Sequence, residues 1–255
     1  MQMARYFSKL NYDGSEFCGW QIQPHSPSVQ EELNKALSTL LREKISVVGC
    51  GRTDTGVHAK NFVLHFDCKE ISMPLDKLTY KLNGILGNNI SIHEIFRVKD
   101  DSHARFDAQS REYKYYIDLK KDPFTHKYAY HPNFIPDIKL MNKACRILFE
   151  YIDFTSFSKL HTDAKTNNCI IYDAHWQDHG EQYVFTICAD RFLRNMVRAI
   201  VGTMLDVGRG RISLDEFRDI IEKKDRCKAG VSVPGKALFL NNIEYDFEKL
   251  IYEEN

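Results

Sequence analysis

The stretch ISVVGCGRTDTGVHAKNFVLHF, residues 45–66, decides how the chain is read. Its two ends are apolar. Ile45 to Val48 reads as a short strand, and Asn61 to Phe66 as a second, with Val63 and His65 on one side and Phe62, Leu64 and Phe66 on the other. Between them, Gly51 to Ala59 holds two glycines, two threonines and an aspartate, the composition of a tight loop. Gly51 and Gly56 allow unusual backbone angles or the close approach of a substrate. Thr53 and Thr55 can hold the loop by local hydrogen bonds. A rigid loop that projects one carboxylate, here Asp54, is a usual way to present a nucleophile. The ordinary alternative is structural, an Asx turn in which Asp54 caps nearby amides. A metal site fits less well. Asp54 and His58 are four residues apart, but the glycines oppose a helix there and no third ligand is near. A phosphate-cradling loop would need Lys-Ser/Thr after its second glycine, where this chain has Val57-His58.

Working outward, Tyr6 to Tyr12 alternates as a strand ended by the turn pair Asp13-Gly14. Ser28, with Glu31 three residues on, fits a helix capping box. The helix it opens places Val29, Leu33, Ala36, Leu37, Leu40 and Leu41 on one face. A second helix follows from Leu75 to about Leu86, and Ile90 to Phe96 returns as a strand. The same order then recurs. Arg111 to Leu119 is a strand, Asp137 to Tyr151 a helix, and Ile170 to Trp176 and Tyr183 to Ala189 are strands joined at Asp178-His179-Gly180. Phe192 to about Val207 reads as a helix. Ser213, with Glu216, caps another, and Ala237 to Tyr245 is a final strand. The chain therefore reads as α+β in two halves, residues 1–105 and 106–255, each a sheet with helices.

Composition narrows the class. At 255 residues the chain can bury a sizeable core without staples. The 35 basic and 35 acidic residues cancel, so any nucleic-acid partner must be met by a local positive field. The 7 cysteines are odd in number and show no CxxC spacing, which points to a reduced, cytoplasmic protein rather than a zinc or disulfide framework. The N-terminus lacks the apolar run of a signal peptide. No stretch approaches the ~18 apolar residues of a membrane span.

The loop also resembles a known motif. GRTDTGVHA is similar to the active-site motif of tRNA pseudouridine synthases of the TruA type, and the likeness extends along nearly the whole chain. Tyr12-Asp13-Gly14, Gly19-Trp20-Gln21 and Val29-Gln30 resemble the family's YDG…GWQ…VQ pattern, and Leu82-Asn83 its helix end. Ala104-Arg105-Phe106 and Ser110 to Tyr115 resemble its ARF…SREYRY segment. Asp153-Phe154 with Ser156-Phe157, and Phe192-Leu193 with Met196-Val197-Arg198 and Val201-Gly202-Thr203, resemble two further segments. Val233 to Leu240 resembles APxxGLxL, with Val233 for the usual alanine and Ala237 for the usual glycine.

This resemblance implies the pseudouridine synthase fold, two ferredoxin-like or RRM-like halves with mainly antiparallel sheets. It implies that Asp54 is the catalytic carboxylate and that neither metal nor organic cofactor is used. Arg52 matches the arginine implicated in displacing the target base, and a guanidinium can fill the vacated stack and hold a phosphate. Tyr113 matches the tyrosine that stacks on the flipped uracil, although alternation alone would equally place it in a core. Arg198 matches the basic residue that pairs with the aspartate and keeps it ionised. Leu238 matches a leucine bordering the base pocket. The implied substrate is the anticodon stem-loop of tRNA, at uridines 38, 39 and 40, and the implied assembly is a homodimer.

Apart from any family, Arg191, Arg194, Arg198, Arg209 and Arg211 crowd a short stretch containing only Asp190 and Asp206, a positive stripe suited to phosphates. Lys159 and Lys165 flank a loop that can also touch RNA. Two other functions compete: an RNA-binding protein without catalysis, which would not need Asp54, and a metal-dependent nuclease using Asp54 and His58.

Overall fold

The computed structural model describes residues 3–159 and 166–252. In chain order its main elements are β1 (Met3–Tyr12), α1 (Val29–Leu41), β2 (Val48–Gly49), β3 (His58–Lys69), α2 (Leu75–Ile85), β4 (Ile90–Val98), β5 (Ser110–Asp118), α3 (Ile138–Leu148), β6 (Ile171–Asp178), β7 (Gln182–Ala189), α4 (Met196–Gly208), α5 (Leu214–Glu222), β8 (Leu238–Glu244) and α6 (Phe247–Leu250). This is an α+β architecture with mainly antiparallel strand pairing, and its chain divides into two compact units.

The first unit comprises the chain up to Gln109 together with the segment from Leu240 onward. Its strands run in the order β4-β1-β3-β8, with β2 also paired to β3. β1 and β3 are antiparallel, Tyr6 opposite Phe66 and Leu10 opposite Phe62, with an irregularity before Tyr12, which faces Ala59. Phe62 to Phe66 are all buried, so both faces of β3 are covered rather than the single face that alternation predicts. α1 begins as expected: Ser28 Oγ accepts from Glu31 N at 3.3 Å, and Val29, Leu33, Ala36 and Leu37 are buried. It stops where Arg42 turns left-handed, at φ 54°. Asn83 explains the Leu82-Asn83 pair. Its amide donates to Ile92 O at 2.8 Å and accepts from Ile92 N at 2.7 Å, clasping α2 to β4.

The second unit runs from Ser110 to Phe239. Its strands are ordered β5-β7-β6, with Tyr113 opposite Ile187 and Tyr115 opposite Phe185. The β6–β7 hairpin turns through Gly180 at φ 83°, whose N–H is held by Asp178 Oδ1 at 2.8 Å. Asp137 caps α3, and α5 carries a full Ser213–Glu216 capping box. α4 is apolar nearly all round and largely buried.

One expectation is corrected. The helix expected from Phe192 starts only at Met196, because Asn195 takes a left-handed conformation at φ 68°. The chain rejoins the first unit at Leu240. Gln109 N donates to Glu244 O at 2.8 Å, Tyr245 OH bonds Ala104 O, and the Tyr245 ring packs edge-on against Phe7. None of the seven cysteines forms a disulfide, and Cys50, Cys68, Cys145 and Cys169 are buried. Among the described residues, no helix is long and apolar enough to cross a membrane.

His65 shows how tightly the first unit is closed. Its Nδ1 accepts from Ala104 N at 3.1 Å, and its ring lies 6.1 Å from Phe7 and 4.6 Å from His103. Burial pushes its pKa from 6.5 down to about 4, with Arg5 and His103 adding repulsion. A folded value below the unfolded one means that the unfolded chain binds the extra proton. The stability is therefore complete above pH 6.5, declines as pH falls toward 4 and is flat below. The loss amounts to about 3 kcal/mol. Denaturation of wild type and His65→Asn at pH 7 and pH 4 tests this. The wild type is expected to lose about that much more than the variant, and equal losses would refute it.

Candidate active site

The 51–59 loop is cradled by the segment that follows β1. Cys50 N donates to Val63 O at 2.8 Å, and Trp20 N to Thr53 O at 3.2 Å. Gly56 N reaches Phe17 O at 3.3 Å, and Val57 N closes the turn on Asp54 O at 3.1 Å. Tyr12 Oη and Thr53 Oγ1 share a buried hydrogen bond of 2.8 Å. The cradle requires glycine at two places. A Cβ on Gly19 would stand 2.5 Å from Thr53 O, and its φ is 98°. A Cβ on Gly14 would overlap Val57 O. Within the loop, Gly56 is left-handed at φ 74°, but Gly51 has open space around it, so no packing demand explains it. Thr53 does hold the loop, though through Tyr12 rather than locally. Asp54 is half-buried, and Arg52 and Thr55 are exposed.

His58 is not placed as a ligand beside Asp54. It opens β3 with its side chain buried, its Nδ1 3.1 Å from Gly14 N and 3.0 Å from Asp13 Oδ1. This contact ties the start of β3 to the Asp13-Gly14 turn. Among the described residues, no group of three or more His, Cys, Asp and Glu is placed to hold a metal ion.

The other expected site residues belong to the second unit. Tyr113 is half-buried on β5, with the Phe192 ring edge-on at 5.1 Å and 87°. Its neighbour Tyr115 is fully buried, donates to Pro234 O at 3.0 Å, and has its hydroxyl pKa driven up by burial. Arg198 lies in the first turn of α4, half-buried, with Nε donating to Val233 O at 2.7 Å. Leu238 is buried directly after the short turn Gly235–Ala237.

The arginine stripe is not one helix face. Of its five members only Arg198 lies within α4. Arg191 and Arg194 precede it, separated by the left-handed Asn195, and Arg209 and Arg211 follow its end. Lys159 N donates to Arg194 O at 3.0 Å, which brings those two residues together. Arg209 stacks over Phe134 at 4.7 Å. Arg211 pairs with Asp206 at 3.6 Å. Lys165 lies outside the described residues. Sequence reasoning missed the loop-holding work of Tyr12, Gly14 and Gly19. The available signal was two glycines beside aromatic residues, each in a motif with no assigned task.

Comparison with known proteins agrees along the chain. The family model described as tRNA pseudouridine synthase matches residues 10–107 and 151–246. A protein of Parabacteroides distasonis named tRNA pseudouridine synthase A is 55% identical over 252 residues, covering 99% of this chain and 100% of the relative. A protein of the same name from Bacteroides fragilis is 56% identical over 249 residues, covering 97% and 99%. One from Bacillus subtilis is 41% identical over 241 residues, covering 93% and 97%. With both stretches of the family model matched, the Asp54 loop and the α4 segment included, the chain belongs to the tRNA pseudouridine synthase family.

Proposed function

We propose that this chain isomerises uridine to pseudouridine at positions 38, 39 and 40 of the tRNA anticodon stem-loop, with Asp54 as the catalytic carboxylate. The observation that carries the reading is the presentation of Asp54. It is half-buried at the turn of a loop whose flanking carbonyls and amides are held by Phe17, Trp20 and Val63. Such a mount fixes the position of a reacting group through its backbone.

The reaction breaks the bond between C1′ and N1 and joins C1′ to C5. N1 gains a proton and C5 loses one, so no net oxidation occurs. Asp54 can attack C1′, add to the base at C6, or remove a proton to start elimination. Arg52, exposed beside Asp54 in sequence, is the residue for displacing the base and holding a phosphate. Tyr113, braced by Phe192, supplies a stacking face worth about 1–3 kcal/mol to the uracil. Arg198 is the counter-charge that keeps the carboxylate ionised, and Leu238 borders the base. Arg191, Arg194, Arg209, Arg211, Lys159 and Lys165 contact RNA phosphates. Reading three neighbouring positions implies recognition of RNA shape more than of base edges. The proposed protein works in the cytoplasm as a homodimer on tRNA.

Tritium release from [5-³H]uridine tRNA tests this, using transcripts that keep uridine at 38, 39 or 40 alone, in EDTA. Release is expected from each. Release only from a transcript lacking all three would overturn the positions. Binding without release from any transcript would leave the RNA-binding alternative.

A further inference from the structure

One segment of the second unit is fastened more heavily than packing requires. Residues 229–233 cross α4 at its Gly202-Thr203 pair. A Cβ on Gly202 would overlap Val231 O, and one on Gly230 would lie 2.9 Å from Thr203 Cα, so backbone lies against backbone. Gly230 N donates to Thr203 Oγ1 at 2.9 Å, and that hydroxyl donates to Ala199 O at 2.8 Å. Val233 N donates to Arg198 O at 3.2 Å and Val233 O accepts from Arg198 Nε at 2.7 Å, a reciprocal clasp on one residue.

The outer side of this strap is held by Arg226. Its Nη1 reaches Ala229 O at 3.4 Å and Gly230 O at 3.2 Å, and its Nη2 donates to Ser232 Oγ at 2.8 Å. Ser232 Oγ also accepts from Asn195 Nδ2 at 2.6 Å, and Asn195 is the left-handed residue that opens α4. One guanidinium thus spans two carbonyls and a hydroxyl, a task that its planar fork suits and a lysine cannot match.

We infer that Arg226 is a positioning residue for the reaction. It sets the strap, and through Val233 the strap sets the direction of the Arg198 guanidinium. The inference rests on the role given to Arg198 under the proposed function. The side chain of Arg198 could rotate widely on its own, since arginine carries high rotamer freedom. Fixing Nε to Val233 O removes most of that freedom, but only while Val233 is itself held. Arg226 and Ser232 hold it from one side, and Thr203 from the other.

The test is a double-mutant cycle on the single-turnover rate, with tRNA affinity and melting temperature measured alongside. Arg226→Gln is expected to slow the chemical step about tenfold to a hundredfold, the scale of a small misplacement, with tRNA affinity within about twofold of wild type. Ser232→Ala should show the same pattern more weakly, and serves if Arg226→Gln folds poorly. In an Arg198→Lys background, which lacks the Nε donor, Arg226→Gln should cost nothing further. A full additional loss there, or a loss of affinity in place of rate, would overturn the inference. So would a wild-type rate in Arg226→Gln, which leaves the role of Arg198 standing. A wild-type rate in Arg198→Lys would show that the Nε bond to Val233 O is not needed and would overturn this inference while the counter-charge role stands, whereas a wild-type rate in Arg198→Ala would remove that role too.

Discussion

Asp54→Asn is expected to abolish tritium release, lowering the single-turnover rate by about 10⁴-fold or more, the scale seen when a reacting carboxylate or nucleophile is removed. Asparagine keeps the size of aspartate and loses its charge. The turn is closed from Val57 N to the main-chain carbonyl of residue 54, and the loop is held by Tyr12, Phe17 and Trp20, so none of these bonds depends on the charge. The melting temperature and tRNA affinity should therefore stay near wild type. A rate within tenfold of wild type would show that Asp54 is a loop residue and not a reacting one. Loss of folding together with activity would show that its charge holds the loop.

Arg198→Ala is expected to have the next largest effect, roughly a hundredfold to a thousandfold on turnover with only modest weakening of tRNA binding. As the proposed counter-charge, Arg198 acts through its positive charge, so Arg198→Lys should retain more turnover than Arg198→Ala. Equal losses in the two variants would argue for a purely structural role, in which the clasp on Val233 matters and the charge does not. Near-normal turnover would refute both.

Much of the fold was legible, because period and punctuation agree. Ser28 and Ser213 both cap the helices they were expected to cap, and the Asp178-His179-Gly180 turn joins β6 to β7. Helix α4 was harder. Its apolar residues begin at Phe192, and nothing local announces that Asn195 leaves the helical region, since its conformation is fixed by a bond to Ser232 far along the chain. For the same reason only Arg198 of the five clustered arginines lies within α4. The loop around Asp54 was legible as a loop, and its glycines were weighted equally, but only Gly56 has a positive φ that demands one. The glycines that the site cannot lose, Gly14 and Gly19, stand more than 30 residues earlier. Only the fold shows that they face Val57 and Thr53. Arg226 was hidden for a different reason, because its bonds to Ala229 O and Gly230 O, although close in sequence, go to backbone carbonyls, which carry no signature in composition.

The path of the chain through β8 bears on how the molecule is made. The strand that lies beside β3 in the first unit is encoded after the whole of the second. While a ribosome is still elongating the chain, β3 emerges early and waits with one edge covered only in part, by the short β2, and an open stretch of strand edge invites wrong partners. The first unit thus finishes its sheet only when the last strand has cleared the exit tunnel. Its final pairing is a long-range closure, slow by nature, and the earliest part of the chain to be synthesised is among the last to be sealed.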